Sequence, residues 1–511
     1  MWFGILCLVS ILIFKILLGY RRPHKFPPGP RGLPVIGNTL DIAKLVKETK
    51  YHNDALCRLA DKYGPIVGLR LGFSEPLLVV SGKEAVTEML NRPEFDGRSD
   101  GFLFKFRCGG SRRGLLFTDA DVWHSQKRFS LKTLIQFGFG KHTTEQVIQQ
   151  DAIRLTDIIT NLTQDGAPAN IYTPITVAVL SNLWFIIEGK KYANGIKKIF
   201  DVGAETPELK EVILLLKAVV MTTNITGGIL TLFPFLRYIF PKLLGFSTFK
   251  SRHEHIDKFI MKATGECTSF IDAYLKEIEI QEAKSPFTSF NVHLYKMYNV
   301  KHYVVETQLI YVVKDLITAG VDTTDNTIGF TLVYLVEHQC VQLKLHDEID
   351  RVIGKDICPS LSDKRLPYLS AIISEVWRMA NVTGTSLIHR AMTDSTLLGY
   401  KIKKNYGLIA NLKSVHMDKE HWGDPEVFRP ERFINEDGKF IDDPWLMPFG
   451  HGRRKCLGES VARNTSFIFL ACLFQKFHFT LPENHPELCL KGVDGFVVSP
   501  PKMDVIVTQR H

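Results

Sequence analysis

The sequence has few cysteines and no paired cysteine motif. Nine cysteines are scattered over 511 residues, and no two of them stand in a C-x-x-C spacing. This pattern excludes the common zinc motifs and a small disulfide-stapled fold, and it fits a reducing compartment. No internal repeat or low-complexity tract marks a boundary between domains. The net charge of +9 is modest and dispersed, which argues against nucleic acid as a partner.

The chain also lacks a dinucleotide-binding fingerprint. Gly138-Phe139-Gly140 comes nearest to one, but it follows a helical pattern and not a strand. A phosphate-cradling loop needs a preceding strand and a following helix, so we reject that interpretation. No part of this chain is therefore predicted to bind a nicotinamide cofactor itself.

Residues 2–20 are almost wholly apolar, with no basic residue before them and a basic stretch after them from Arg21, and the predicted anchor is 1–20. As a helix the run would span roughly 28 Å, close to a bilayer core. This order of charges predicts an anchor helix and not a cleaved signal peptide, with the rest of the chain in the cytosol. Lys15 would either snorkel to the interface or restrict the helix to shallow insertion. The basic and proline-rich segment 21–30 is predicted to be an extended hinge.

The remainder, 31–511, is predicted to be mostly α with small β-sheets. Two short apolar runs, 66–71 and 77–80, favour a hairpin because glycine and proline separate them. Amphipathic periodicity predicts helices near 143–162, 252–279, 302–339 and 366–380.

One loop carries the strongest chemical signal. Phe449–Gly458 reads F-G-H-G-R-R-K-C-L-G and precedes an apolar helix predicted from about Glu459 to Phe474. Glycines allow a tight turn and a close approach to a flat ligand. Nearby cations and backbone N–H groups are expected to hold Cys456 as a thiolate. A thiolate ligand pushes electron density onto a haem iron, which favours cleavage of O–O bonds.

A second motif interrupts an apolar helical run. Ala319-Gly320-Val321-Asp322-Thr323-Thr324 places glycine, aspartate and threonine together in mid-helix, where they cost stability. A functional reason is therefore expected, and the alternative is a kinked core helix with satisfied hydroxyl groups.

Together these motifs resemble those of the cytochrome P450 family, over residues from about 26 to the C-terminus. The resemblance implies a single-domain P450 fold and haem b, with Cys456 as the axial iron ligand and Phe449 and Gly458 beside it. Small Ala319 and Gly320 would open a groove for O2. Thr323 would then hydrogen-bond dioxygen or a water, and Asp322 would relay protons. Contacts to the haem propionates are implied for Arg98, Trp123, Lys127 or Arg128, His389 and Arg454.

The resemblance also implies a structural ion network and electron-transfer partners. Glu375 would receive bidentate bonds from Arg378 and Arg432, for fold maintenance and not for chemistry. The basic residues Lys127, Arg128, Lys132, Arg453, Arg454 and Lys455 would form a patch that steers an acidic partner. That partner would be NADPH–cytochrome P450 reductase at the endoplasmic reticulum membrane, with cytochrome b5 as a further electron donor.

Within the family, the chain resembles arthropod members of the drug- and steroid-hydroxylase clan, and among them the insect methyl farnesoate epoxidases of juvenile hormone biosynthesis. Apolar residues in the predicted pocket suit such a lipophilic substrate; they are Phe102, Phe104, Phe106, Leu115, Leu116, Leu316, Leu387 and Phe496. Three alternatives stay open: a hydroxylase of steroids or xenobiotics, a P450-fold isomerase, and a non-catalytic haem protein.

Overall fold

The computed structural model describes residues 23–136, 142–188, 213, 228–263, 270–284, 306–362 and 366–510. The predicted anchor (1–20) and Gly138-Phe139-Gly140 lie outside these residues. Within them, no helix combines the length and the apolar character needed to cross a bilayer.

Helices dominate the described chain, as predicted. The first group is α1 (Thr39–Thr49), α2 (His52–Tyr63), α3 (Lys83–Asn91), α4 (Phe102–Arg107), α5 (Ala120–Gln136), α6 (His142–Leu162), α7 (Tyr172–Glu188), α8 (Gly228–Leu232) and α9 (Leu236–Ile239). The second group is α10 (Phe246–Ala263), α11 (Phe270–Lys284), α12 (Glu306–Glu337), α13 (Gln339–Val352), α14 (Pro367–Ala380), α15 (Lys413–His416), α16 (Lys419–Trp422) and α17 (Glu459–Lys476). Within the described residues, the helix predicted over 252–279 corresponds to α10 and α11.

The strands of the described residues are short and form three small sheets. They are β1 (Ile66–Leu69), β2 (Leu77–Ser81), β3 (Gly97–Arg98), β4 (His389–Arg390), β5 (Ser395–Leu397), β6 (Tyr400–Ile402), β7 (Gly407–Asn411), β8 (Phe477–Thr480) and β9 (Ile506–Gln509). The largest sheet has the order β1-β2-β7-β4-β3, and its first pair is the predicted hairpin. Antiparallel pairing of β3 with β4 sets Arg98 directly opposite His389.

Helix α12 runs through the centre of the molecule. Nearly all of its described side chains are buried, polar ones included, because other elements surround the helix. Helices α7, α14 and α17 pack against it. The main core cluster joins buried residues from Leu115 to Val507, and a second cluster packs α3 against the largest sheet. The mostly α, single-domain fold is therefore confirmed.

Candidate active site

Most of the predicted site residues meet at one cavity of about 410 Å³. The predicted residues that line it are Arg98, Trp123, Lys127, Ala319, Gly320, Thr323, His389, Phe449, Arg454, Cys456 and Gly458. Asp322 and Arg128 are not on its wall: Asp322 is buried inside the helix packing, and Arg128 is exposed on α5. Residues up to about 360 positions apart in the sequence thus share one chamber.

A tight loop presents Cys456 to this cavity. Gly450 and Gly452 adopt positive φ angles of 73° and 70°, and the Cys456 N–H donates to the Phe449 carbonyl oxygen at 2.9 Å. A Cβ at Gly452 would overlap the Leu90 carbonyl oxygen, so only glycine fits there. The loop therefore fixes the sulfur at the N-terminus of α17, where helix N–H groups are unpaired.

The surroundings of the Cys456 thiol shift its pKa in opposite directions. Burial raises the pKa of the Cys456 thiol above its ordinary value, although hydrogen bonds from the Gly458 and Glu459 N–H groups and the charge of Lys455 act to lower it. Burial wins because these groups offset only part of the desolvation of a thiolate. Iron bound at this sulfur would take the place of the thiol proton.

Thr323 faces the cavity from the middle of α12. Its hydroxyl donates to the Ala319 carbonyl oxygen at 2.8 Å, the bond by which threonine is accommodated within a helix. The same contact recurs one turn later, where the Thr327 hydroxyl donates to the Thr323 carbonyl oxygen at 2.8 Å. The Thr323 hydroxyl oxygen can still accept a hydrogen bond from the cavity side.

Gly320 has a packing role in addition to the predicted one. A Cβ at this position would lie 2.7 Å from Leu183 Cδ2, so the missing side chain lets α7 approach α12 closely. Gly320 also lines the cavity beside Ala319. The glycine is therefore needed by the helix contact as well as by any ligand in the groove.

Two buried arginines point at the cavity without an ion-pair partner among the described residues. Arg98 donates from Nε to the Leu116 carbonyl oxygen at 3.0 Å, and its Nη1 has no partner within the described chain. Arg454 donates to the carbonyl oxygens of Asp96 (2.9 Å) and Thr118 (2.7 Å). Burial, as the largest cause, lowers the pKa of Arg98 to about 10 and that of Arg454 to about 8. Such a pair is suited to bind anions.

The Trp123 ring packs against two of the cations that line the cavity. The Arg454 guanidinium lies 3.8 Å from the centre of the Trp123 ring, and Lys127 Nζ lies 4.8 Å from it. Lys127 Nζ also donates to the Arg453 carbonyl oxygen at 2.6 Å. Of the two alternatives left open by the sequence, Lys127 lies on the cavity wall and Arg128 does not. Opposite, His389 Nδ1 lies 2.7 Å from the Phe95 carbonyl oxygen, and burial lowers the pKa of His389 well below its ordinary value.

Comparison with known proteins agrees with this geometry. The cytochrome P450 family profile matches residues 27–507. The chain belongs to the cytochrome P450 family. It is 33% identical over 99% of its length to a Bombyx mori protein named farnesoate epoxidase, covering 98% of that relative. It is 32% identical to probable cytochrome P450 305a1 of Drosophila melanogaster (98% of each chain) and to human cytochrome P450 2J2 (96% of this chain, 93% of the relative). Members of the family are monooxygenases, and this P450 is therefore an oxidoreductase.

The residues of this P450 fit a haem. Haem needs one axial ligand and partners for two propionate carboxylates. Cys456 supplies a sulfur at one wall, and Arg98 and Arg454 supply cationic groups at another. Arginine suits this task because its planar fork matches a carboxylate.

The predicted ion network of this P450 is present. The Glu375 carboxylate accepts from Arg378 Nε at 2.7 Å and Nη2 at 2.8 Å, and all of these side chains are fully buried. Arg432 contributes one bond, from Nε to Glu375 at 3.2 Å, and its other donors bind carbonyl oxygens of Trp422 and Asp424. The Arg378 contact is bidentate as predicted, and the Arg432 contact is not.

His416 joins this network to the segment before the cysteine loop, a role that no local sequence pattern predicts. His416 Nδ1 lies 2.7 Å from Asn381 Oδ1, while its Nε2 accepts from the Met447 N–H at 3.1 Å. Asn381 in turn donates to the Arg378 carbonyl oxygen at 2.6 Å. Burial lowers the pKa of His416 to about 3, so it is neutral and bridges two segments. The partners are far apart in sequence, and no local pattern announces them.

The ion pair between Asp315 and Arg107 at the far end of the cavity was also not predicted from the sequence. Asp315 on α12 pairs with Arg107 on α4 and accepts from the Leu115 and Leu116 N–H groups at 2.7 and 2.8 Å. Gly114, with φ of 83°, cannot carry a side chain because its Cβ would overlap the Asp315 carboxylate. This carboxylate ties the loop after α4 to the helix that carries Thr323.

Proposed function

We propose that this P450 epoxidises an acyclic terpenoid ester or acid of the farnesoate type, as a step of juvenile hormone biosynthesis. One observation carries the proposal: Cys456 and Thr323 line the same cavity, whose other walls are largely apolar. The apolar lining includes Phe104, Leu115, Leu116, Leu316, Leu387 and Phe496. Two further predicted residues, Phe102 and Phe106, pack against Phe246 outside it. The name of the Bombyx mori relative supports the substrate class.

Each of the predicted site residues would have its own role in the reaction. Cys456 would hold haem iron, with Arg98, Arg454, His389, Trp123 and Lys127 around the propionates. When bound, the haem supplies the chemistry that activates O2 and transfers one oxygen atom to the substrate. Thr323 would donate or accept a hydrogen bond at the oxygen site, and the apolar walls would exclude water that wastes protons. Asp322 is buried beside it and would act on protons through neighbouring groups, because it does not reach the cavity itself.

Electrons would come from NADPH through cytochrome P450 reductase, with cytochrome b5 as a further donor. The supporting feature is a basic surface near the Cys456 loop. Arg128 and Lys132 are exposed on α5, and Arg453 and Lys455 are exposed in the loop. Lys127 joins the two segments through its bond to the Arg453 carbonyl oxygen. Arg454, which was expected in this patch, instead turns into the cavity. Positive charge here would steer an acidic flavoprotein.

We also propose attachment to the endoplasmic reticulum membrane. Besides the predicted anchor, the segment around α9 presents apolar side chains to solvent: Tyr238 is 74% exposed, Leu243 is 81% exposed, and Phe235 and Phe240 are about half exposed. An aromatic, apolar patch of this kind favours contact with a lipid interface. Phe233, by contrast, is buried against Phe73, so part of the segment is core.

Two measurements test the proposal in sequence. The first is the difference spectrum of the reduced, CO-bound protein, with Cys456→Ser as the test variant and Cys489→Ser, an exposed cysteine outside the cavity, as the control. We expect a red-shifted Soret band that only the Cys456 variant loses.

The second is turnover of methyl farnesoate and farnesoic acid with reductase, NADPH and ¹⁸O2, alongside a steroid. An epoxide carrying one labelled oxygen, formed only with NADPH and reductase, is the expected product. Oxidation of the steroid alone would contradict the terpenoid assignment. Turnover without NADPH would instead indicate the isomerase, and haem binding with no turnover would indicate the non-catalytic alternative.

A further inference from the structure

The loop between Val493 and Ser499 brings an aromatic side chain to the cavity. Its base is closed by two backbone hydrogen bonds between Val493 and Ser499, of 2.7 and 3.0 Å. Inside the loop, Phe496 lines the cavity and packs against the apolar cluster that contains Phe104 and Phe117. The position of this loop therefore determines where one wall of the cavity lies.

The base of the loop is attached to the body of the protein by its last residues. Asn326 on α12 donates from Nδ2 to the Val498 carbonyl oxygen at 3.3 Å. The Val498 N–H donates to the Val382 carbonyl oxygen at 2.9 Å. These contacts fix the ends of the loop, but none of them involves residues 494–497, which include Phe496.

A contact with α2 holds residues 494–497. Both carboxylate oxygens of Asp494 accept from the His52 N–H at 3.2 Å, and His52 Nδ1 donates to the same carboxylate. Within the described chain, the hydrogen bonds of residues 494–497 all run between these two side chains or to the His52 N–H. His52 is the first residue of α2, where N–H groups have no partner inside the helix. A carboxylate suits this position because it accepts such a bond and interacts favourably with the helix dipole.

A second ion pair joins the same two segments, but it is more exposed. Lys491 Nζ lies 3.2 Å from the Asp54 carboxylate, and the Lys491 side chain is 64% exposed. The side chains of Asp494 and His52 are only 15% and 27% exposed. Exposed ion pairs contribute little because water screens them, so the Asp494 contact is the stronger link between α2 and the loop.

We propose that Asp494 is a positioning residue, which binds the start of α2 and thereby holds Phe496 in the cavity, so that this contact limits the bulk of the ligands that the cavity accepts. The inference concerns the shape of one wall and does not depend on which substrate is oxidised. Without the contact, residues 494–497 lose their hydrogen bonds while the base of the loop stays closed, so the tip becomes mobile. Phe496 then leaves room that favours a bulkier ligand over a smaller one.

Ligand binding to the haem-loaded full chain tests this proposal. The probes are 4-phenylimidazole and 4-(biphenyl-4-yl)imidazole, which share the ring that binds iron and differ in bulk; the spectral shift of the haem gives each Kd. Phe496→Ala should change the ratio of the two Kd values about tenfold in favour of the larger probe, and Asp494→Ala should change it at least about threefold in the same direction. The matched control is Asp418→Ala, because Asp418 accepts from the His421 N–H at 3.0 Å at the start of α16, outside the cavity.

A double variant separates positioning from a general loss of stability. If Asp494 acts through Phe496, adding Asp494→Ala to Phe496→Ala should change the ratio by less than about twofold, because the side chain that Asp494 positions is already absent. Asp494→Asn, which keeps one oxygen that can accept from the His52 N–H, should give a ratio between those of the wild type and Asp494→Ala.

Three results would overturn the proposal. The first is a wild-type ratio in Asp494→Ala, which would show that packing alone holds Phe496. The second is a double variant in which the effects of Asp494→Ala and Phe496→Ala multiply, because the two residues would then act independently. The third is a change in Asp418→Ala as large as that in Asp494→Ala, which would assign the effect to the loss of any such carboxylate.

Discussion

Replacing Glu375 with alanine should unfold this P450 under conditions that the wild type tolerates. The carboxylate is fully buried and accepts four hydrogen bonds: two from Arg378, one from Arg432, and one from the Arg429 N–H at 2.9 Å. Its removal leaves the fully buried Arg378 guanidinium without a counter-charge. Breaking a buried pair in this way costs about 3–5 kcal/mol. A typical domain has only about 5–15 kcal/mol of stability in total.

Urea denaturation followed by circular dichroism measures this loss, and the ratio of bound haem to protein reports its consequence for the site. The matched control is Lys344→Ala, because the Lys344–Glu431 pair has a similar separation of 2.7 Å but is largely exposed. An exposed pair contributes about 0–1 kcal/mol, so the control should behave like the wild type. If Glu375→Ala lowered the free energy of unfolding by less than about 1 kcal/mol, the unpaired Arg378 charge would cost no more than an exposed one, and the prediction would be wrong.

Three further predictions concern the cavity. Arg454→Gln should purify with a much lower ratio of haem to protein than the control Arg128→Gln, because of these two arginines Arg454 lines the cavity and Arg128 does not. Equal ratios in the two variants would contradict a role for Arg454 in haem binding. Thr323→Ala should reduce the amount of product formed per NADPH consumed by at least about tenfold, because loss of a positioned proton donor costs roughly 10²–10⁴ in rate. The ratio is measured by following NADPH oxidation and product formation in the same reaction. An unchanged ratio would exclude a role for the Thr323 hydroxyl. His416 has a folded pKa of about 3, below its ordinary 6.5, so between these values the unfolded chain binds more protons and stability falls as pH falls. The free energy of unfolding of His416→Gln should therefore fall less between pH 6.5 and 4 than that of the wild type, by up to about 1.4 kcal/mol per pH unit. Urea titrations at each pH measure both values. Equal losses in the variant and the wild type would argue against a neutral buried imidazole.

The features that were predicted well from the sequence are those that depend on contiguous residues. The Cys456 loop, the Thr323 motif and the hairpin of β1 and β2 each occupy fewer than about twenty positions, and local geometry determines them. The predicted helix from about Glu459 to Phe474 is likewise found as α17, which ends at Lys476. In each case a short pattern contains both the turn residues and the group that the turn presents.

The features that the sequence missed depend on contacts between distant segments. His416, Asp315, Arg107 and His253 look like ordinary polar residues in their local sequence, and only the fold buries them beside the cavity. Asp322 illustrates a different limit. The motif predicted a proton-relay role for Asp322, but a local pattern does not show which of its residues reach the cavity. Thr323 and Thr324 line it, and Asp322 is buried in the helix packing.

The two ends of the cavity differ in how their charges are balanced, and this difference indicates what each end binds. At the rim, Arg98 and Arg454 have depressed pKa values and no ion-pair partner among the described residues, so an anionic ligand is the missing element. At the far end, Arg107 is already neutralised by Asp315. Buried charge that awaits a ligand selects a charged group, and buried charge that is already paired does not. The same chamber thus fits the carboxylates of a haem at one end and an uncharged, apolar substrate at the other.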